Sequence, residues 1–577
     1  MASLAQKLTE IVGAAFAAEG LSAELGLVRV SDRPDLCQFQ CNGAMAAAKA
    51  AKKNPREIAQ TLVQALQDHP ALARIEIAGP GFINLDVTDA FLAAHIKSNA
   101  DSDTLGVEPV GAGRTIVLDY GGPNIAKPMH VGHLRSSIIG DSLRRICAFA
   151  GYRAIGDVHM GDWGTPMGQI LSELEARGRL GQPVTMDELE EIYPAASRAC
   201  KEDENRAEQA RAATVKLQDG DPVYRAAWQQ FIDVSIAGMK ENFDALGVHF
   251  DLWKGESDVH ERIAPMVETL KTAGLAVESE GAVVVPVARE DDKKEMPPLI
   301  LYKRDGAVMY GTTDLATVAD RVEAFSPAAI LYVVDQRQSL HFEQVFRAAR
   351  VTAIAPEEQV ELTHAGFGTM NGQDGKPFKT RAGGVMKLQD LIAMAVEKAQ
   401  ARLEEADLAA DMDQAERDDV AHKVAVAALK FADLHNNRVA DYVFDIDRMT
   451  RFEGKTGPYL LYQAVRINSL LNKAKGAGLD VPENPTFAIK AEDRALALAL
   501  AEFPDHFRLA LENYTPHVLC DYAYKLAQDF SSFYGACHIL SEEDEQLRAS
   551  RLSLCALTYR QLVLILGLLG IQVPARM

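Results

Sequence analysis

TIVLDYGGPNIAKPMHVGHLRSS (residues 115–137) runs from a β-branched stretch through a Gly/Pro loop into an amphipathic helix, and it places two histidines at the helix entrance. In an open parallel sheet the ligand site lies beyond the carboxyl ends of the strands, and a helix N-terminus presents unpaired N–H groups and partial positive charge to an anion. The segment therefore reads as a phosphate site. It contains neither GxxxxGK[ST] nor GxGxxG, the loops that commonly do this with glycine backbone alone. His130 and His133 are instead spaced i, i+3, so both project from one side of the first turn and can donate hydrogen bonds to phosphate oxygens. Gly132 between them is expected to leave room for a flat base against the backbone. Leu134, Ile138, Ile139, Leu143, Ile146, Cys147 and Ala150 form the buried stripe of the helix behind, which Gly151 ends.

Outward from this segment, the chain has 577 residues, 48% hydrophobic and 24% charged, too many for one core, so three domains are expected. Residues 1–110 read as a small α/β domain. It has a helix over 4–19, strands near 26–30 and 37–40, an Ala/Lys helix over 43–67, and a β-rich stretch IEIAGPGFINLDV with a Gly-Pro-Gly turn. The Gly-rich, aperiodic DSDTLGVEPVGAGR reads as a linker. Residues 111–385 alternate apolar runs (TIVLD, AIGDV, AVVVPV, LILYK, AVMY, AAILYVV, ELTHAGF) with amphipathic helices. That alternation predicts an α/β Rossmann-like domain on a mostly parallel sheet, with a helical insertion over about 170–295. Residues 386–577 show almost no strand pattern and are expected to be all-helical.

The formal charge of −21 argues against a protein that coats nucleic acid through its overall field. Local basic tracks remain, at Lys49, Lys52, Lys53 and Arg56, and at Arg438, Arg448, Arg451, Lys455 and Arg466. The first twenty residues lack the basic flank and unbroken apolar core of a secretory signal. LSLCALTYRQLVLILGLLGI near the end is interrupted by Arg560 and Gln561, which fits a packed terminal helix better than a bilayer span. A cytoplasmic protein with no membrane contact is expected. The seven cysteines are scattered and lack zinc-ligand spacing, so they read as reduced, mostly buried thiols, with no tightly bound metal or organic cofactor.

HVGH resembles the HIGH-type motif of class I aminoacyl-tRNA synthetases, and DYGGPNIAKPMHVGHLRSSIIGD is similar to the bacterial-type arginyl-tRNA synthetases in particular. The likeness continues in order through GDVHMGDWGTPMGQ, MYGTTDLATVADR, YVVDQRQSLHF, HAGFGTMNGQDGKPFKTRAGG, LKFADLHNNRVADYVFDID, GPYLLYQAVRI and the closing ARM. It implies a HIGH-type catalytic domain, an N-terminal domain that touches the tRNA elbow and a helical anticodon-binding domain. The implied activity is ATP-dependent activation of L-arginine and its transfer to tRNA(Arg). ATP would arrive as its Mg²⁺ complex, and the enzyme would be a monomer.

The resemblance assigns the guanidinium to Asp119, Tyr310 and Asp314, and the ammonium and carboxylate end of arginine to Asn124, His133 and Gln338. A planar, permanently charged guanidinium with five donors does require carboxylates placed for forked bonds. Read alone, Asp314 is a helix cap and Asp119 a strand-end turn residue. His130, Gly132, His133 and Lys379 would bind ATP, and KPFKT (376–380) takes the place of the family's KMSKS loop. Lys376 and Lys379 keep its charges, but Pro377 and Phe378 replace its Met and Ser, which bears on the loop's flexibility. Lys127 stands to add a third cation. Gly121 replaces a serine common in relatives. In GDWGT, Trp163 reads as structural and Asp162 stays open. On the RNA side the resemblance points to Phe82 and Asn84 at the tRNA elbow and to Tyr459, Tyr462 and Met577 at the anticodon loop. Arg466 lies one turn beyond the two tyrosines, a cation beside aromatics of the kind that stacks bases, and Tyr522 and Tyr524 follow in CDYAY.

Overall fold

The computed structural model describes residues 3–577 apart from Pro34, Asp305, Pro377, 379–385 and Ala409, with only the backbone at Ala50. Strands β1 (Val28–Val30), β2 (Phe39–Cys41), β3 (Leu72–Ala78) and β4 (Phe82–Val87) make an antiparallel N-terminal sheet in the order β1-β2-β4-β3. The single Ala/Lys helix expected over 43–67 is two helices, Gly43–Ala51 and Pro55–Leu66. Lys52 turns left-handed at φ 51°, and Asn54 caps the second helix by accepting from Arg56 N–H at 2.9 Å, with Pro55 in the first helical position. A proline there loses no helical bond, so the break costs little.

The central sheet is formed by β5 (Thr115–Asp119), β6 (Arg153–Met160), β7 (Leu252–Gly255), β11 (Ala329–Tyr332) and β12 (Glu361–His364). All its pairings are parallel, in the order β12-β11-β5-β6-β7. The chain builds outward from β5 on one side and returns on the other, so the topological switch lies between β5 and β11, where ligands of such sheets bind. Helices Thr165–Ala176, Met186–Glu202, Glu204–Gln218 and Pro222–Leu246 fill the excursion between β6 and β7.

Two expectations fail in this domain. AVVVPV and LILYK belong to a separate three-stranded antiparallel sheet of β8 (Val277–Ser279), β9 (Ala282–Val285) and β10 (Leu299–Tyr302), and AVMY is no strand: the helix Tyr310–Phe325 begins at its last residue. A four-residue apolar run reports burial but says nothing about which strand it will pair with.

The C-terminal part is helical as expected, with long helices Leu388–Glu405, Gln414–Leu434, Gly457–Gly476, His517–Ala536 and Glu545–Leu568. The last is apolar and long enough to pass for a membrane span, yet Leu554, Cys555, Leu562, Ile565 and Leu566 are fully buried in the core. All seven cysteines are free thiols, six of them buried.

The signature helix Gly132–Phe149 is tied to this helical domain at several points. Arg135 donates to the Asp433 carboxylate at 3.0 Å and to the Ala440 carbonyl at 3.1 Å, both partners of the ion pair being buried. Ser142 Oγ donates to the Leu568 carbonyl at 3.0 Å, and Arg145 Nη1 to that of Gly567 at 3.4 Å. The N-terminal domain docks on the same helices, through Arg494 to Asp89 and Arg560 to the Ala100 carbonyl.

Candidate active site

A cleft of about 440 Å³ opens at the switch point, between the loop after β5 and the segment Val333–Gln338 after β11. Asp119, His130, Gly132, His133 and Gln338 all line it, so the paired imidazoles and a strand-end carboxylate share one cavity, of a size that suits a nucleotide.

The helix entrance fixes both rings. His130 Nδ1 accepts from Gly132 N–H at 3.0 Å, His133 Nδ1 accepts from His130 N–H at 3.1 Å, and the ring centroids stand 4.0 Å apart. With Nδ1 an acceptor in each neutral ring, the proton resides on Nε2, which leaves two N–H donors. Burial lowers both histidines, and the neighbouring His130 helps push His133 down to about 3. The rings therefore act as neutral donors at physiological pH. Gly132 has a reason within the fold itself: a Cβ there would lie 2.7 Å from His130 Cε1. Glycine lets the His130 ring fold back onto the helix end.

Gly121 has φ +85°, a Cβ on it would meet Phe250 at 3.0 Å, and its N–H donates to Ser136 Oγ at 2.8 Å. The loop after β5 thus requires glycine here for its backbone path.

Asp119 lines the cleft and is also engaged within the protein. Its Oδ2 accepts from Arg321 Nη2 at 2.7 Å, and the same nitrogen donates to Asp157 at 2.7 Å from the neighbouring strand β6. Arg321 is 1% exposed and stacks over Tyr332 at 5.3 Å. Burial pushes the Asp119 carboxyl up, while Arg321 and His159 pull against it. The guanidinium that Asp119 holds in this structure belongs to the protein itself.

Asp314 stands four residues into the helix Tyr310–Phe325, past any capping position, and its Oδ2 pairs with His341 Nε2 at 2.5 Å. Tyr310, one turn earlier on the same face, is 70% exposed. Beside Asp314 lies Glu256, which the sequence reading missed. Its carboxyl is pushed up to about 8 by burial and by the negative charges of Asp162 and Asp314. A perturbed acid of this kind marks a candidate ligand site, and the Trp163 backbone N–H works against the rise. The one sequence signal was its place just after a strand end, in WKGES at the end of β7.

Asp162 is resolved as structural, accepting from Ser257 N–H at 3.0 Å and Ser257 Oγ at 2.5 Å. Trp163 donates to His260 Nδ1 at 3.1 Å and packs edge-on against Trp228, in line with its structural reading. Asn124 is exposed over Gly161, where a Cβ would strike its Oδ1.

On the phosphate side, Lys127 lies with its ammonium 4.4 Å from the centre of the Tyr193 ring. Lys376 sits on an exposed turn beyond the cleft lining, Phe378 lines the cleft and packs on Phe444 at 4.9 Å, and Lys379 lies outside the described residues. Among the described residues no cluster of three or more His, Cys, Asp or Glu could hold a metal ion.

Of the RNA candidates, Tyr462 is exposed, Tyr459 meets Tyr524 edge-on at 5.7 Å, and Arg466 stacks on Tyr534 at 4.3 Å, a partner not anticipated. Met577 is half-buried. Tyr522 is core, donating to the Ala499 carbonyl. Phe82 is half-buried, whereas Asn84 is 4% exposed and its amide oxygen accepts from Gln40 Nε2 at 2.9 Å within the sheet.

Three family models match the chain. Residues 97–446 match the class I (R) tRNA synthetase catalytic domain, 460–577 the DALR anticodon binding domain, and 2–87 the arginyl tRNA synthetase N-terminal domain. The arginine–tRNA ligases of Hyphomonas neptunium and Maricaulis maris are 52% and 50% identical, each alignment covering 100% of both chains. The arginyl-tRNA synthetase structure from Plasmodium falciparum superposes with TM-score 0.83 at 25% identity, covering 100% of both chains. The one from Thermus thermophilus has TM-score 0.78 at 22% identity, also over 100% of both, and speaks for the fold alone. With its cleft, its signature helix and its three domains matched along its whole length, the chain belongs to the arginyl-tRNA synthetase family.

Proposed function

We propose that the cleft activates L-arginine with ATP and passes the arginyl group to tRNA(Arg), as an arginine–tRNA ligase. In the first step an arginine carboxylate oxygen attacks the α-phosphorus in line, the bond to the bridging oxygen breaks, and arginyl-adenylate and pyrophosphate result. In the second step the 2′-hydroxyl of the terminal tRNA ribose attacks the arginyl carbonyl and AMP leaves, the hydroxyl proton being lost. A carboxylate needs no base to become a nucleophile, so the protein's contribution is alignment and charge stabilisation. The Nε2–H donors of His130 and His133, with the helix N-terminus behind them, meet the phosphate oxygens. Lys127, Lys376 and Lys379 add positive charge there, and Mg²⁺ enters with ATP as substrate.

The observation that carries this reading is the single cleft holding both imidazoles with a strand-end acid, alongside a second acid pair built for a cation. Asp314 and Glu256, with Tyr310 closing over them, receive the guanidinium. Asn124, His133 and Gln338 receive the other end of the substrate. Asp119 acts through Arg321, whose bound guanidinium fixes the strand ends that frame the pocket. Tyr459, Tyr462, Arg466 and Met577 contact the anticodon loop, and Phe82 the elbow. The chain acts as a cytoplasmic monomer.

Pyrophosphate exchange into ATP, run with each amino acid with and without tRNA, tests the proposal. Exchange is expected with arginine alone, and only when tRNA is present, as the family resemblance implies. Exchange with another amino acid would remove the specificity assignment. No exchange under any condition would leave a protein that binds RNA without catalysis.

A further inference from the structure

We propose that Tyr193, on the insertion helix Met186–Glu202, is a positioning residue for ATP: its ring holds the Lys127 ammonium toward the phosphate half of the cleft. The inference rests on the reading of Lys127 as a phosphate contact and adds the element that places it.

Lysine ends in a point charge on four flexible carbons, and fixing it costs about 2 kcal/mol of rotamer freedom. A residue that must meet a phosphate at a set place therefore gains from a second contact that narrows its range. The insertion provides one at each end of Lys127. At the backbone, Ala126 adopts φ 58°, and its N–H donates to Ser235 Oγ at 2.8 Å from the helix Pro222–Leu246. At the tip, the Tyr193 ring lies 4.4 Å from the ammonium, a cation–π contact. Lys127 stands on the loop that enters the signature helix, three residues before His130, and borders a cavity with Met129 and Lys387, the residues whose backbones meet the His130 segment.

The same helix also reaches the other flank of the site. One turn before Tyr193, Glu190 pairs with Lys387 at 2.6 Å. Lys387 forms an antiparallel bridge with His130, reinforced by Val131 N–H to the Met386 carbonyl and Leu388 N–H to that of Met129, each at 3.0 Å. Pro194 follows Tyr193 inside the helix. Having no N–H, it leaves the Glu190 carbonyl without its helical bond. A cavity of about 190 Å³ among Lys127, Met129, Glu190, Asn242 and Lys387 leaves the lysine stem unpacked on this side. The ring thus supplies an orientation that packing alone does not.

Steady-state pyrophosphate exchange with tRNA present, using the full chain, tests this. Tyr193→Leu is expected to lower kcat/KM for ATP roughly two- to thirty-fold, the range a cation–π contact spans, with the KM for arginine unchanged. Tyr193→Phe, which keeps the ring, restores it, and in a Lys127→Ala background Tyr193→Leu adds no further loss. The inference fails if Phe does not rescue, if the arginine KM moves as much as the ATP term, or if the leucine variant costs as much without Lys127. Should Lys127→Ala itself leave ATP kinetics untouched, the phosphate role of Lys127 falls and this inference with it. If Lys127→Ala is slow but Tyr193→Leu is normal, the positioning role alone is overturned.

Discussion

The proposed guanidinium site predicts that arginine binding depends on pH through Glu256. Its folded pKa is raised to about 8, from the usual carboxylate range, by burial and by Asp162 and Asp314. A guanidinium favours the ionised form, so below pH 8 the carboxyl must release a proton when arginine binds, and affinity should rise with pH. With this pKa about one site in ten is ionised at pH 7 and about nine in ten at pH 9, which predicts an arginine affinity roughly ten-fold higher at pH 9, about one pKa unit of free energy. Glu256→Gln should remove that component and weaken binding at pH 9 by roughly ten- to a hundred-fold, the loss expected for one hydrogen bond to a charged group. The variant also controls for titration of the substrate and of the other facing groups, Asp162, Asp314 and His341. Calorimetry in buffers of different ionisation heat counts the protons: close to one released per arginine near pH 7, falling away above pH 9. Equal pH dependence in wild type and Glu256→Gln, or proton release unchanged by the substitution, would refute the reasoning.

Two further outcomes are expected. His133→Ala removes a fixed Nε2–H donor and should lower kcat by roughly two to four orders of magnitude, read in single-turnover adenylate formation; a near-normal rate would remove His133 from the site. Arg321→Met leaves the Asp119 and Asp157 carboxylates buried without their cation and should cost about 3–5 kcal/mol of stability, seen as a lower urea midpoint; an unchanged midpoint would mean that the acids take up protons at little cost.

How much of this was legible in the sequence follows from the kind of information each feature needs. The segment 115–137 determined the parallel-sheet domain and the paired imidazoles at its helix entrance, because strand, glycine loop and helix are local patterns and the i, i+3 histidines need only one helical turn to meet. The helical C-terminal domain was readable from apolar periodicity for the same reason. The partners of buried charges were not. Asp119 meets Arg321 across 202 residues, Arg135 meets Asp433 across 298, and Lys387 meets Glu190 across 197. No periodicity links positions so far apart, and each assignment depends on which side chain reaches the carboxylate first. Glu256 belongs to the same class: an ordinary acid in the chain, it becomes unusual only when folding buries it beside two others. The sequence by itself determined the helix end and its imidazole donors, the place proposed for the triphosphate, since these are contiguous in the chain. Only the tertiary structure decided how the acids near the site are partnered, Asp119 with Arg321 and Asp314 with His341, because that is fixed by long-range pairing in a low-dielectric interior.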